Sequence, residues 1–344
     1  MKKKIFTIVS CLLIIGTLLI VTGCKKKKKD NNTSVDNSLL SIATKNDKEI
    51  VGITKDGSIN TIFDYSAFDS VVYTINDNKL YLYLFSFDYS GSTDGKGSLG
   101  YIDLNDSNHK FNSISDSIIG DGYPVSIAVI NDSIYYNSIL GDSLYSYNMT
   151  TKKNTKDDLN ITFRKGSTHI YNIGNDKIVN MAYGNSTENP TMSILDVKTN
   201  QNEKICDNCS FESIQNNKIL YLIYEDNIYE WTYYEYDVST GNSKKISDKA
   251  EGGLSTDDSY ILAVDDYYVY VSKDTLYKYT DKKEELYQFT GYISQTVLTS
   301  KDTINVEYDI GLDTDAKYAT YNLTNKEFKS VDSRDRYTNI VYVK

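Results

Sequence analysis

From Leu39 onward the chain repeats one pattern. An Asn/Asp turn is followed by an alternating apolar strand, then a loop. A strand rich in Tyr comes next and closes on Asp, Asn or Thr, and a short turn with Thr and Lys leads into a further strand. The closing residue falls at Thr54, Asp103, Asn148, Asp196, Asp237, Thr280 and Asn322, in steps of 49, 45, 48, 41, 43 and 42 residues. The turns after the first strands read Asn76-Asp77, Asn131-Asp132, Asn175-Asp176, Asn216-Asn217, Asp265-Asp266 and Lys301-Asp302. Asn and Asp tolerate left-handed backbone and bond their own main chain, which tight hairpins need. Between the turns, Leu80, Leu82 and Leu84, or Ile219, Tyr221 and Ile223, alternate with period two. Val, Ile and Tyr dominate, all good strand formers, and no stretch after residue 40 carries helical periodicity with caps.

A period in the forties with about four strands per unit is the signature of a β-propeller. Residues 38–344 divided by seven give about 44 per unit, against about 38 for eight blades and about 51 for six. Seven four-stranded antiparallel blades are therefore expected. The segment 39–65 holds three strands and the end, 337–344, holds one without a sequence neighbour. The expectation is that the last strand completes the first blade and removes two open edges.

The first residues read as a targeting segment. Lys2, Lys3 and Lys4 precede an apolar run, Ile5 to Val21, and Val21-Thr22-Gly23-Cys24 resembles the bacterial lipobox. The resemblance implies a signal peptide over 1–23, diacylglycerol on Cys24, and a membrane-anchored protein on the outer face of the cell. The competing reading is an uncleaved helix, since Ile5–Gly23 is long enough to span a bilayer. Residues 24–37 form a basic, polar tether that cannot order itself, and residues 38–344 the globular part. The formal net charge is −10, and eight lysines lie within residues 1–29, so residues 30–344 carry −18. That argues against nucleic acid, whose affinity rests on Lys and Arg at phosphates, and fits a soluble monomer.

The globular part resembles the YVTN-type, WD40-like and PQQ-like repeat propellers, known in Gram-positive bacteria as lipid-anchored proteins. The best single repeat is Tyr236-Asp237-Val238-Ser239-Thr240-Gly241, which looks like their D-x-x-T-G turn; only that unit has the Gly. The architecture implies that turns between strands 1 and 2 and between 3 and 4 open on one face. The other connections open on the opposite face, and here they are the long ones: 86–98, 118–123, 183–191, 250–258 and 309–316. Binding residues concentrate on loops held by a rigid scaffold. The ligand-binding candidates are Phe87, Asp88, Tyr89, Asp94, Asp121, Tyr123, Tyr183, Glu188, Asp313 and Asp315, for a protein, peptide or glycan partner.

The chain has 32 tyrosines. Tyr229, Trp231 and Tyr233 alternate as an aromatic platform would, but the reading preferred for most Tyr is packing between blades with the hydroxyl at the edge. No calcium loop with Asp at fixed steps and a closing Glu occurs, so no metal or cofactor is expected. Cys206 and Cys209 are read as a small turn disulfide; a redox pair would need a helix N-terminus and a zinc site further ligands. Catalysis is not expected. Two isolated histidines, His109 and His169, and the absence of a G-x-S-x-G elbow speak against a Ser-His-Asp site. Three arginines, two of them nearly adjacent, do not make a sialidase clamp. The alternative is a glycan-cleaving enzyme using paired carboxylates on the long-loop face.

Overall fold

Each of the seven closing residues, the landmarks of the repeat, ends or directly follows the third strand of a four-stranded antiparallel sheet, counting outward from the axis of a closed ring of seven blades. The computed structural model describes residues 39–87, 96–116, 124–139, 141, 143–184, 188–225, 229–251, 261–310, 316–332 and 335–343, and among them there is no helix. Blades 2 to 7 occupy 70–115, 124–156, 168–207, 209–245, 261–288 and 292–331, each running from its innermost strand to its outermost. Blade 5 has a fifth strand. Its outermost strand, Asn242–Lys245, is short, and Ala250–Glu251 pairs with the uncovered end of the third strand at Glu230 and Trp231.

Blade 1 takes its innermost strand, Tyr337–Tyr342, from the end of the chain and its other three from residues 39–64. Ser41 pairs with Tyr342 and Lys45 with Tyr337. Both neighbouring blades hold this strand. Gln295 of blade 7 donates to the Tyr337 carbonyl at 2.7 Å, and the Tyr73 hydroxyl of blade 2 donates to the Asn339 carbonyl at 2.6 Å. Asn46 bonds the chain on the far side, its N–H donating to the Arg336 carbonyl at 2.9 Å. The first described residue, Leu39, and Val343 lie together at one end of the ring, where the Val343 N–H donates to the Leu40 carbonyl at 3.0 Å. This end carries the 1–2 and 3–4 turns and is called the hairpin face; the opposite end is the loop face.

The second strand of each blade is buried on both sides, because a blade has two neighbours. In Lys79–Ser86, Leu80, Leu82 and Leu84 pack against blade 1, whereas Tyr81, Tyr83 and Phe85 pack against blade 3. Each such side chain withdrawn from water contributes about 1.5–3 kcal/mol. The tyrosines reach across their own blade or to the next one. The Tyr221 hydroxyl donates to Ser243 Oγ at 3.0 Å, Tyr233 to the Val271 carbonyl at 3.2 Å and Tyr321 to the Leu286 carbonyl at 3.1 Å. Trp231 and Tyr233 are buried and Tyr229 is exposed, so these three do not form one platform. Outer strands such as Lys153–Lys156 are exposed throughout.

One turn departs from its expected place. Asn76 pairs with Lys79, so the loop of the blade 2 hairpin is Asp77-Asn78, one residue beyond Asn76-Asp77, with φ of 48° and 57°. A two-residue loop of this hand needs both φ positive, which Asn175-Asp176 and Asn216-Asn217 also satisfy. At the 3–4 turns whose landmark is Asp or Asn, its side-chain oxygen caps the next N–H groups: Asp237 accepts from Ser239 and Thr240, Asn148 from Thr151, and Asp196 from Thr199. The left-handed position that follows is Gly241 in blade 5 but Lys152, Asn200 and Lys326 elsewhere, with φ of 58°, 55° and 59°. The cap therefore repeats where the Gly does not.

Candidate functional site

The innermost strands surround a channel of about 1140 Å³, lined along much of its length by Ser, Asn, Ile and Val residues of blades 1 to 5. Its character changes where the innermost strands of blades 4 and 5, Thr168–Gly174 and Cys209–Gln215, approach the loop face. His169 and Tyr171 alternate along the first strand and so share a side. The Tyr171 ring stacks on Phe211 of the next blade, centroids 3.8 Å apart and planes 16° from parallel. Tyr183, just beyond the second strand of blade 4, sets its ring edge-on to His169 at 5.1 Å. Its hydroxyl is influenced by the hydroxyls of Tyr171 and Ser210.

Glu212 enters this group through a β-bulge. Phe211 pairs with Tyr221 and Ser213 with Leu220, so Glu212 is the extra residue with no opposite number, and it lines the channel. Bulges re-aim a side chain in this way. Its charge is felt by three phenols. Burial first, and the nearby Glu212 carboxylate after it, push Tyr183 up to about 12 against the opposing influence of the Tyr171 and Ser210 hydroxyls. Tyr171 is held well above its ordinary value and Tyr224 above its own, in both cases chiefly by burial and also by Glu212. Burial pushes His169 below its ordinary value, so the imidazole is neutral at neutral pH. Among the described residues, the lining includes Asp77, Glu212 and His169 but no Lys or Arg.

The loops behind the cluster are held by unique side chains. Arg164 Nη1 donates to the carbonyls of Ala182, Tyr183 and Asn189 at 2.9, 3.0 and 2.9 Å, while its Nε lies 3.0 Å from Glu188. Gly184 permits the fold-back, since a Cβ there would sit 2.2 Å from the Glu188 carbonyl oxygen. On the blade 5 side, the Asn208 N–H donates to the Pro190 carbonyl at 2.7 Å and its side chain to the Tyr224 carbonyl at 3.0 Å. Cys206 and Cys209 are joined by a disulfide across this turn, Cα atoms 6.2 Å apart, and Ser210 and Phe211 follow at once.

Of the sequence candidates, Tyr183 lies in the channel lining and Glu188 pairs with Arg164 at its back. Phe87 is a cap on the core between blades 2 and 3: its ring stands edge-on to Phe85 at 5.4 Å and its N–H donates to Asp69 at 2.7 Å. Asp88, Tyr89, Asp94, Asp121, Tyr123, Asp313, Asp315 and Cys24 lie outside the described residues. Sequence reasoning missed His169, Tyr171, Ser210, Phe211, Glu212 and Tyr224 because it looked to loops, whereas most of these stand on innermost strands. Glu307, raised above its ordinary value by burial first and then by Asp309, lies in the second strand of blade 7 and not in the channel lining. Among the described residues no group of three His, Cys, Asp or Glu is placed to hold a metal ion.

No protein-family model and no curated protein matches the chain. Solved structures do. One from a study of two prolyl endopeptidases superposes with a TM-score of 0.52 at 11% identity, over 87% of this chain and 50% of that one. Dipeptidyl peptidase 4 of Porphyromonas gingivalis gives 0.46 at 8%, over 88% and 54%. The β-propeller domain of the Trilobed protease from Pyrococcus furiosus gives 0.44 at 12%, over 76% and 83%. This chain thus spans about half the length of the two peptidases, and at these identities the likeness is one of fold alone.

Proposed function

We propose that this propeller is a non-catalytic surface module, held outside the cell by diacylglycerol on Cys24, that binds an envelope or extracellular ligand at the loop-face mouth of its channel. The observation that carries the binding reading is the convergence of Tyr171, Tyr183, Phe211 and Glu212 from two adjacent blades on one concave, channel-lining spot. Concave sites with aromatic walls and a few placed polar groups are where ligands bind. The lipobox-like Val21–Cys24 supports the address. The chain enters the ring at Leu39 on the hairpin face, so the loop-face mouth is the end remote from that point of attachment. The protein, peptide and glycan classes all suit an aromatic mouth. Support for binding over glycan cleavage comes from the carboxylates: Glu212 lines the channel, whereas Glu307 and Asp309 stand in blade 7.

Two measurements test this reading. Cys24→Ser is expected to move the protein from the membrane fraction to the medium; retention on the membrane would remove the anchor. Array screening of the full chain in detergent against saccharides and peptides is expected to yield ligands whose binding falls at least about tenfold in Phe211→Ala, the loss of one aromatic contact. Ligands indifferent to Phe211→Ala and Tyr183→Ala would place binding elsewhere.

A further inference from the structure

The strand that carries His169 and Tyr171 is tied to blade 3 at two points. Thr168–Gly174 is innermost in its blade and pairs with Lys177–Ala182 on one edge only. Thr168 and Ile170 are buried, and buried main-chain groups on the other edge need side-chain partners. Asn137, in the second strand of blade 3 and wholly buried, donates from Nδ2 to the Thr168 carbonyl. Ser126 is its cross-strand neighbour in the innermost strand. Its Oγ accepts the Ile170 N–H at 2.8 Å and donates to Asn137 Oδ1 at 2.8 Å. The direction of this chain of bonds is forced. A main-chain N–H can only donate, so the Ser126 oxygen accepts there and gives its one proton to the amide oxygen. That turns the amide nitrogen toward Thr168. The two main-chain groups so fixed stand on either side of His169.

The His169 imidazole lines the channel, and among the described residues neither ring nitrogen has a hydrogen-bond partner. Its neighbours are rings: Tyr171 with centroids 6.4 Å apart, and Tyr183 edge-on at 5.1 Å. Nothing polar locks the imidazole itself, so its place follows from the main chain beside it. Tyr171, one alternation further along, takes its place on Phe211 from the same segment. Ser126 also lines the channel, but its hydroxyl is engaged by Asn137 and Ile170. We infer that Asn137 and Ser126 are positioning residues for the mouth: together they fix the main chain on both sides of His169 and so present His169 and Tyr171 to a ligand. The inference rests on the mouth being the ligand site. Contact side chains need such a supporting layer to stay in a productive geometry.

The His169 imidazole is itself the readout, by NMR of the full chain in detergent with histidine labelled at Cε1; His109→Gln assigns the other signal. Burial holds the wild-type titration below 6.5. In Ser126→Ala and Asn137→Ala it is expected to move up toward 6.5, with altered ring shifts, as the imidazole gains water. Ser126→Thr keeps the hydroxyl and is expected to titrate as the wild type does. Gln295→Ala removes a bond from blade 7 to the Tyr337 carbonyl; it is expected to lower the melting temperature and leave His169 unmoved. An array ligand weakened by Phe211→Ala should also be weakened by Ser126→Ala and not by Ser126→Thr. A His169 signal unchanged in both alanine variants overturns the inference. So does an equal displacement in Gln295→Ala, which would be general loosening, or a ligand that senses Phe211→Ala but not Ser126→Ala. If Asn137→Ala does not fold by circular dichroism, Ser126→Ala decides alone. Arrays that yield no ligand count against the mouth as a binding site, while the imidazole measurement still decides whether Asn137 and Ser126 set its geometry.

Discussion

At the hairpin face of blades 4 and 5, the chain turns through Asn175-Asp176 and Asn216-Asn217, each with both φ positive. At the loop face the same two blades are tied by reach. Arg164 grips three carbonyls and a carboxylate, Asn208 bridges Pro190 and Tyr224, and a disulfide closes Cys206 onto Cys209. One end uses a local code that recurs around the ring; the other uses residues that occur once. The repeated end builds the scaffold. The singular end holds Tyr183 and Phe211 in place, and a binding site needs such support more than the ring does.

The comparison can be broken at several points. Deletion of residues 337–344 attacks what both faces share and should have the largest effect. It removes the innermost strand of blade 1, including buried Tyr337 and Tyr342, and opens two sheet edges. Loss of cooperative unfolding and aggregation on size-exclusion chromatography are expected, and an unchanged melting curve would count against closure. Arg164→Ala comes next, at about 2–3 kcal/mol for the loss of several charge-assisted bonds. Ligand binding should fall with it, and Arg164→Lys should rescue only in part, since one ammonium cannot both replace Nη1 among the three carbonyls and keep the Nε contact with Glu188. Replacing both Cys206 and Cys209 by Ser should cost at most about 2 kcal/mol, because the closed loop is short; chemical denaturation reads this directly.

The smallest effect is in acid. The His169 imidazole is held below its ordinary 6.5 by burial in the folded state, so the unfolded chain takes up its proton first. Stability attributable to this group is intact above 6.5, falls as pH drops through it, and is fully lost once pH is below the folded value. Between pH 7 and 5 the wild type should therefore lose ground relative to His169→Gln. Half-buried Asp157 and Glu307, raised above their ordinary values, act in the opposite sense but are common to both proteins and cancel in the difference. Parallel pH profiles would show that His169 is not desolvated.

The ring was legible because its punctuation is local. Thr54, Asp103, Asn148 and their counterparts cap turns with their own side chains, and that chemistry depends on a few adjacent residues. The closing strand was legible as a strand without a partner. Alternation was a poorer guide: Leu80, Leu82 and Leu84 describe one face of a strand whose other face, Tyr81, Tyr83 and Phe85, is buried as deeply. The Asp77-Asn78 loop was displaced by one because register belongs to the pair Asn76–Lys79, not to either strand alone. For the same reason Glu212 was invisible. Its exit into the channel depends on a bulge against Leu220 and Tyr221, far enough along the chain that no local pattern marks it. Tyr183 was found because it stands where a strand gives way to a loop. Phe87 stands in a similar place, and only its contact with Phe85 shows it to be core.

The claim that the loop-face mouth is the working end is tested most directly by photo-crosslinking in the intact cell envelope. A benzophenone side chain is placed at Asn189, exposed on the loop face behind Tyr183, and in a second protein at Lys198, exposed in the 3–4 turn of the same blade on the hairpin face. The account predicts a defined adduct from Asn189 that is lost when Phe211→Ala is added, and none from Lys198. A defined adduct from Lys198 alone, or one from Asn189 that persists in Phe211→Ala, would contradict it.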